Sequence, residues 1–571
     1  MTMPIEWLAQ YPFPPALILI LGGVLLPLLP ASFRPAAVLG LPLATLVMGL
    51  SVPDGVLLYH PFIGFELELV QGDRLGRLFS TIFSIMAFAG GLYAFRHSKV
   101  MELSAAFVYA GGAVGVAFAG DLITMFVFWE IMAIGSTLVI WSARTKASQG
   151  AAMRYLAVHL FGGVVLMAGI VAHVATTGSI EFAAIKLDGV GAWLMLIGFL
   201  INAGAPPFSS WIPDAYPESS PFGMVFLSAF TTKTAVFVLI RTFAGADVLI
   251  YVGVYMACYG IIYALLENDM RRILAYSIVN QVGFMICGIG IGTEMALNGA
   301  AAHAFAHIIY KALLIMSAGA VLQQTGKRKC TDLGGLFQSM PLTCICGTIG
   351  ALAISSFPWT SGFVSKSMIS TAAATEHLAF VWYVLMAASA GVFLHAGIKF
   401  PWFVFFQKDS GMRPPDPAWN MKAAMIFFAF LCIALGVYPD PLYALLPYKV
   451  DYEPYTLAHV AEMLQLLLFS GLAFFLLLPM MKRTLTISLD FDWFYRVAGP
   501  FVVGRLVQGL AAIGTAVEAT LTKVVVDTIT VIRRHHGPEG FMSKTLHLSS
   551  MVFWVVAALA FALILDFARG I

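Results

Sequence analysis

One apolar segment, HAFAHIIYK, carries three ionisable side chains at four-residue intervals: His303, His307 and Lys311. In an α-helix, side chains four positions apart lie on nearly the same face, and each step advances about 6 Å along the axis. Histidine exchanges protons near physiological pH, and a lysine withdrawn from water can do so as well. The spacing therefore predicts a line of proton-exchanging groups along one face of a helix.

Further ionisable residues lie inside other long apolar runs. Such a side chain near the centre of a bilayer costs at least about 2.5–3.5 kcal/mol, so it is rare without a role. Any one of them could be a hydrogen-bonding residue between helices, but a set spread over several helices indicates a proton or cation pathway. Lys399 could instead extend towards a helix end, and a structural role is an open alternative for His159 and His395. The set comprises Glu130, His159, Lys233, Lys366, His395 and Lys399.

Prolines interrupt two of the apolar runs. INAGAPPFSSWIPDAYPESSP contains five prolines, and SSFPWTSGFVSK contains a proline and a glycine. Proline removes a backbone donor, and a broken helix within a bilayer is tolerated only where it faces protein or a hydrated cavity. Paired broken helices indicate a transport pathway. Their separation along the chain suits two inverted five-helix repeats.

The composition places these residues in a membrane protein. Of the 571 residues, 60% are hydrophobic and 11% are charged, whereas about a quarter of a soluble domain is charged. The net charge of +2 gives no basic field for binding nucleic acid. Because a span needs about 20 mostly apolar residues, we predict an all-α polytopic fold with about sixteen transmembrane helices. They lie near residues 15–31, 35–52, 76–95, 102–119, 122–141, 154–175, 189–206, 221–243, 246–266, 271–292, 297–320, 341–372, 377–404, 421–438, 456–480 and 549–567.

Basic residues concentrate in alternate loops, which predicts the orientation. Cytoplasmic loops of membrane proteins carry an excess of lysine and arginine. The asymmetry predicts that both termini lie on the non-cytoplasmic side of the cell (inner) membrane. No basic region precedes the first apolar run, so that run is predicted to be a retained helix. The predicted cytoplasmic loops hold Arg34, Arg96, Lys99, Arg144, Lys146, Arg271, Arg272, Lys327, Arg328, Lys329, Lys408, Arg413, Lys482 and Arg483.

Residues 484–548 break the rhythm of apolar spans. They are predicted to form an interfacial loop and then a lateral amphipathic helix from about Gly499 to Arg534, lying along the membrane face. A soluble hairpin or a partly disordered linker is the alternative. The predicted organisation is an N-terminal three-helix segment (1–100), two halves that each contain one broken helix (101–245 and 246–405), C-terminal transmembrane helices (406–483), the lateral segment (484–548) and an anchoring span (549–571).

The sequence shows no Walker motif, no dinucleotide fingerprint and no cysteine cluster with metal-ligand spacing. We therefore predict no cofactor, no metal site and no catalytic residue. The energy for transport must come from an ion gradient or from partner subunits.

Five motifs carry a resemblance to a known family: DLITMFVFWE, the FxxWIPDAYPES run, RRILAYSIVNQVG, HAFAHIIYKALLIMSAGAV and DLGGLFQSMP…GFVSK. In order and spacing they resemble the antiporter-like subunits of respiratory complex I and of Mrp-type multisubunit cation/proton antiporters, most of all the D subunit of the Mrp type. The resemblance extends from about Leu103 to Lys399. It implies that Glu130 is the family's glutamate of the fifth helix and Lys311 its central lysine. It further implies that Lys366 is its terminal lysine and Lys233 a connecting lysine.

One position departs from the family pattern. The first broken helix usually carries a lysine shortly before the proline, and here Asn202 stands at that position. Asparagine cannot take up a proton, which puts the usual switch with Glu130 in doubt. Lys233 on the next helix is our hypothesis for its substitute. The alternative is a first half-channel that is altered or inactive.

The predicted function is a proton-translocating subunit of a multisubunit membrane complex, performing Na⁺/H⁺ antiport. Its predicted partners are other subunits, the lipid bilayer, H⁺ and Na⁺. A pumping subunit of a complex-I-like or hydrogenase-like redox complex, or of an inorganic-carbon uptake system, is the alternative, as is a subunit with only a structural role. A b-type haem protein is a distant alternative, because His303 and His307 share one helix instead of facing each other from two.

Overall fold

The computed structural model describes residues 13–479 and 490–570. The predicted cytoplasmic residues Lys482 and Arg483 and the first twelve residues lie outside this range, as does part of the predicted interfacial loop. Within the described residues, fourteen helices are long and apolar enough to cross a membrane, and three shorter apolar helices accompany them. The predicted helical polytopic fold is confirmed apart from one short β-hairpin, while the number of helices that cross the membrane stays a prediction.

The N-terminal segment contains a β-hairpin that the sequence analysis missed. Strands β1 and β2 pair antiparallel, and Phe62 lies opposite Phe65 across a two-residue turn. Both turn residues, Ile63 and Gly64, have positive φ angles (46° and 81°), as the tight hairpin turn that matches strand twist requires. The elements are α1 (Pro15–Leu25), α2 (Arg34–Ser51), β1 (Gly55–Phe62), β2 (Phe65–Gly72), α3 (Arg74–Ala94) and α4 (Val100–Phe118).

The next helices contain the first break. Helix α7 ends at Ala203, and Gly204 follows in the left-handed conformation with φ 77°. Pro206 and Pro207 then prevent the helix from continuing, because neither has a backbone N–H. The elements are α5 (Leu122–Trp141), α6 (Lys146–Thr177), α7 (Val190–Ala203), α8 (Trp211–Ala215), α9 (Gly223–Leu227) and α10 (Thr231–Thr242).

The second break divides the predicted span 341–372 into α14 and α15. Ser356 and Trp359 lie between them, both with positive φ angles (59° and 65°). Helix α16 continues into π-helical turns at Phe393–Lys399 and Trp402–Phe406. The elements are α11 (Val248–Leu266), α12 (Met270–Ile291), α13 (Glu294–Thr325), α14 (Pro341–Ile354), α15 (Ser361–Thr375) and α16 (Ala379–Val392).

Helices α12 and α13 form the centre of the bundle, and nearly every residue of both is buried. Glycines allow α11 and α12 to approach closely. A methyl group on Gly253 would lie 2.3 Å from the backbone nitrogen of Cys287. Small residues at helix contacts are the usual means of close packing in membranes. Polar side chains on α12 therefore lie directly against those of its neighbours.

The C-terminal part begins with α17 (Trp419–Val437), α18 (Asp440–Tyr443) and α19 (Leu457–Leu477). The first compact unit of the chain ends at Asp492, and a second begins at Trp493. The second unit contains α20 (Gly499–His536) and α21 (Leu548–Arg569), in which no residue is buried. Helix α20 has 38 residues and is much longer than the roughly 20 residues that cross a bilayer. Its position along the membrane face stays a prediction.

Candidate proton and cation pathway

His303, His307 and Lys311 on α13 are all fully buried. Lys311 Nζ donates a hydrogen bond of 2.9 Å to Ser277 Oγ on α12. His303 lies between two helices: its Nε2 is 3.0 Å from Gln281 Oε1 on α12, and its Nδ1 is 3.2 Å from Ser365 Oγ on α15. Neither ring nitrogen of His307 has a hydrogen-bond partner among the described residues. The stripe is thus a buried polar line within an apolar bundle.

Lys366 is placed by the second break. It lies in the second turn of α15, directly after Ser365, and its amine has no hydrogen-bond partner within the described part of the chain. The Nζ atom lies 5.2 Å from the ring centroid of Phe284, within the range of a cation–π contact. His303 is close enough to Lys366 for an electrostatic interaction. Lys366 therefore belongs to the same group as the α13 stripe.

Lys233 joins this group from the first half of the bundle. Its amine donates to the carbonyl oxygen of Ser228 at 2.6 Å and to Thr232 Oγ1 at 3.1 Å. Ser228 lies in the interval between α9 and α10, which leaves its carbonyl oxygen available to accept this hydrogen bond. Lys233 interacts electrostatically with His307 and Lys311. We call Lys233, His303, His307, Lys311 and Lys366 the central line.

Glu130 lies apart from the central line. The residue is half-buried on α5, and its Oε1 packs against Gly163 of α6, where a methyl group would come within 2.3 Å. This oxygen has no described hydrogen-bond partner. None of the ion pairs found in the described residues includes Glu130 or Lys233. The sequence analysis proposed that Lys233 takes over the role of the lysine that the family usually has at the position of Asn202. No direct contact between Lys233 and Glu130 in the described chain supports this, so it stays a hypothesis.

Asn202 and His159 lie on the two helices that follow Glu130. Asn202 is fully buried in the last turn of α7, and neither polar atom of its side chain has a partner in the described residues. His159 Nδ1 is 2.9 Å from the carbonyl oxygen of Tyr155, and the ring stacks on Tyr155 at 3.8 Å. Its Nε2 is unpartnered in the described part of the chain. We call Glu130, His159 and Asn202 the first-half cluster.

The two additional candidates on the π-helical turn have different surroundings. Lys399 Nζ donates to the carbonyl oxygens of Ala264, Leu265 and Glu267 at 3.1, 2.6 and 2.6 Å. It therefore caps the C-terminal end of α11, which is a structural role. His395 Nδ1 lies 2.8 Å from the carbonyl oxygen of Gly391. His395 also interacts electrostatically with Lys311 and Lys366, so it borders the central line.

The sequence analysis missed the polar residues of α12 that surround the central line. Gln281 Oε1 also accepts a hydrogen bond of 3.1 Å from Tyr310, and Gln281 Nε2 donates to Asn280 Oδ1 at 2.5 Å. Ser277, Asn280 and Gln281 all lie in the motif RRILAYSIVNQVG. The four-residue spacing of Ser277 and Gln281 in an otherwise apolar helix is the sequence signal that could have revealed them.

A second buried network that the sequence analysis missed supports the chain after the first break. The Arg271 guanidinium donates to the carbonyl oxygens of Pro217, Ser219 and Ser220 at 2.8–2.9 Å. Ser220 Oγ in turn donates to the buried carboxylate of Glu102. The sequence analysis had placed Arg271 in a loop. Its contacts satisfy carbonyl groups of this irregular segment, including that of Pro217, because Pro221 four residues later has no N–H to donate.

Glu68 lies on the hairpin, outside the membrane-spanning segments. Burial raises the pKa of its carboxyl above the usual range, and the nearby Asp121 and Glu181 raise it further. Asp121 is occupied as the N-cap of α5, where it accepts from the backbone N–H groups of Ile123 and Thr124. Within the described chain, no group of three or more His, Cys, Asp or Glu could hold a metal ion.

Residues 119–393 match the family model described as NADH:quinone oxidoreductase/Mrp antiporter, TM. The predicted family resemblance is confirmed. The matched range contains the whole central line and the first-half cluster, whereas His395 and Lys399 lie just beyond it. The chain is a multi-pass membrane protein, and just under half of its length resembles the transmembrane part of this family.

Two relatives illustrate the extent of the likeness. The A/B subunit of a probable K⁺/H⁺ antiporter of Rhizobium meliloti is 29% identical over 420 residues, which cover 67% of this chain and 42% of that protein. The D subunit of the Na⁺/H⁺ antiporter of Alkalihalophilus pseudofirmus is 28% identical over 363 residues, which cover 59% of this chain and 72% of that protein. The chain thus spans less than half the length of the first relative, and its likeness extends beyond the D type.

A solved structure supports the fold. A chain of the Mrp complex from a Dietzia species superposes with a TM-score of 0.68 at 20% sequence identity. The superposition covers 81% of this chain and 100% of that chain. At this level of identity, the likeness establishes the arrangement of helices.

Proposed function

We propose that the chain is a proton-translocating subunit of a multisubunit membrane complex that exchanges a monovalent cation, Na⁺ in the first instance, for H⁺. The observation that carries the proposal is the central line. Five ionisable side chains from three helices lie buried, each within electrostatic range of at least one other, and His303 is hydrogen-bonded to Gln281 on α12 and to Ser365 on α15. Uncompensated cations in an apolar interior are unfavourable, so an inert bundle would have no use for this line.

The central line suits proton transfer more than binding of a metal cation. Its members are lysines and histidines, which exchange protons, and Lys233 and Lys311 repel a second cation nearby. A proton would pass among Lys233, His307 and Lys311 and reach Lys366 by way of His303. Gln281 and Tyr310 hold the His303 ring in place for this transfer.

Assembly with other subunits and residence in the cell membrane, with both termini on the non-cytoplasmic side, are part of the same proposal. The names of the relatives support assembly, since both are antiporter subunits. The family description also names NADH:quinone oxidoreductase, which favours redox-driven pumping as the second candidate.

The test measures Na⁺- and K⁺-driven pH change in everted membrane vesicles that carry the full complex. Lys311→Ala should abolish the proton movement, whereas Lys327→Ala, at an exposed lysine just beyond α13, should leave it unchanged. Lys311→Arg is the sharper variant. Arginine keeps the charge but does not release its proton, so it should also abolish transport.

Full activity of Lys311→Arg would rule out proton exchange at this position. If no monovalent cation drives a pH change in the wild-type complex, antiport is wrong. Proton movement driven instead by a redox substrate of the complex would then support the second candidate.

A further inference from the structure

The first-half cluster contains oxygen atoms that nothing in the described chain satisfies. Glu130 Oε1 is buried without a hydrogen-bond partner, and so are both polar atoms of the fully buried Asn202 side chain. Buried polar atoms are nearly always paired, either within the protein or with a bound species. These atoms therefore indicate an occupant.

The end of α7 adds two further oxygens. In a continuing helix, the carbonyl groups of Asn202 and Ala203 would accept from residues 206 and 207, but both are prolines and lack the donor. The next amides, of Gly204 and Ala205, bond to Ile201 and Leu200 instead. No described hydrogen bond ends on the carbonyl oxygen of Asn202 or Ala203. A helix C-terminus carries partial negative charge, and in transporters the ends of broken helices coordinate cations.

The carboxylate and the amide lie over the same turn of α6. A methyl group on Gly163 would lie 2.3 Å from Glu130 Oε1, and one on Gly162 would lie 3.6 Å from Asn202 Oδ1. The two adjacent glycines therefore let the carboxylate of Glu130 and the amide of Asn202 approach the backbone of α6, where larger side chains would displace them. The rings of Trp129 and Phe199, with centroids 5.5 Å apart, hold α5 against α7 beside this turn. His159, one turn earlier on α6, contributes an Nε2 without a partner in the described residues.

The charge of the cluster favours one monovalent cation. The carboxylate of Glu130 forms no ion pair among the described residues, and the amine of Lys233 is engaged by Ser228 and Thr232. Hard cations prefer carboxylate and carbonyl oxygens. One carboxylate balances one positive charge, whereas a divalent ion would be left with a net charge in a poorly hydrated interior.

We propose that Glu130, Asn202 and the carbonyl oxygens at the end of α7 bind one partly hydrated alkali cation, with His159 bonding to a water of its hydration shell. This inference deepens the proposed function, on which it rests for its physiological role, by naming where the exchanged cation is held. Binding itself does not depend on transport. The site lies in the first half of the bundle, separate from the central line.

The test titrates the purified full-length chain in lipid nanodiscs with NaCl, KCl or LiCl at constant ionic strength, using choline chloride as the balance. The readouts are the melting temperature and the intrinsic fluorescence, to which Trp129 and Trp211 near the cluster contribute. The wild type should show a saturable response to at least one alkali cation. Glu130→Gln should abolish that response.

Asn202→Lys provides the decisive comparison. A lysine ammonium would take the place of the cation, so this variant should melt without alkali cations as high as the wild type does with them, and should not respond to their addition. If Asn202→Lys does not fold, Asn202→Leu, which removes the amide oxygen at similar volume, should likewise lose the response.

Lys311→Arg is the matched control, because it should lose transport in vesicles while keeping the cation response. A wild type that responds to no alkali cation, or a response that survives in both Glu130→Gln and the Asn202 variant, would overturn the site. Either result, combined with intact antiport in vesicles, would leave the proposed function standing. Loss of antiport with an intact cation response would overturn the function and leave the site.

Discussion

Ser365 Oγ lies 3.2 Å from His303 Nδ1 and so connects the central helix α13 to the helix that follows the second break. The next residue along the chain is Lys366, whose amine has no hydrogen-bond partner among the described residues. The serine is therefore the bridge between the α13 stripe and the last lysine of the central line. Through this hydrogen bond, the helix that begins after the second break brings Lys366 to the proton path on α13.

Ser365→Ala should lower the rate of proton movement in vesicles, because it removes the hydroxyl that orients the His303 ring. Loss of one positioning hydrogen bond is expected to slow transfer by about tenfold, because such a bond contributes about 1 kcal/mol and each 1.4 kcal/mol changes a rate roughly tenfold. Ser370→Ala, on the same helix but bonded to the backbone of Ser367, is the matched control and should behave as wild type. Equal rates for both variants would show that the bridge is not used.

Lys399→Met and Lys366→Met should have opposite consequences. Lys399 caps α11 through three carbonyl oxygens, so its loss should reduce stability by about 1–3 kcal/mol while transport per folded complex is retained. Lys366 has no such bonds in the described chain, and replacing it with an apolar side chain should leave the melting temperature unchanged or higher but abolish transport. Melting curves in detergent and vesicle assays separate the two. A stable Lys399→Met variant without transport would assign Lys399 to the pathway.

Asp490 fixes the chain near the end of the first compact unit. Its carboxylate accepts from Tyr259 at 2.5 Å and from Tyr276 at 2.8 Å, hydroxyls on two different helices. Asp490→Asn, and the double variant Tyr259→Phe with Tyr276→Phe, should accelerate limited proteolysis around Asp490, because the anchoring bonds are charge-assisted. Tyr255→Phe, an exposed tyrosine one turn from Tyr259, should not. Unchanged cleavage in both test variants would show that other contacts hold this part of the chain.

Glu68 should give a stability effect that depends on pH. Its pKa is raised in the folded chain, first by burial and then by Asp121 and Glu181, so ionisation disfavours the folded state. This penalty is absent below about pH 4, where the carboxyl is protonated in both states, and develops as the pH rises through the raised pKa. Glu68→Gln should therefore raise the melting temperature at neutral pH and not at acidic pH. Glu66→Gln, exposed on the same strand, is the control, and an equal effect of the two changes would contradict the prediction.

The sequence alone determined the helices and the places where they break. A long apolar run must be helical in lipid because its backbone groups can bond only to one another, and Pro206 and Pro207 cannot continue such a run because they lack donors. The burial of Lys311 and Lys366 followed from their positions within these runs. The match at residues 119–393 confirmed the family resemblance that the motifs predicted.

Only the tertiary structure decided which of these residues act together. Lys233 lies within electrostatic range of His307 and Lys311, Lys399 serves as a helix cap, and Asn202 is buried without a partner in the described residues. Helical periodicity gives the face on which a side chain lies, but not the helix that packs against that face. Such partners come from segments far apart in sequence, so the packing of the helices sets their distances, and no local pattern encodes them.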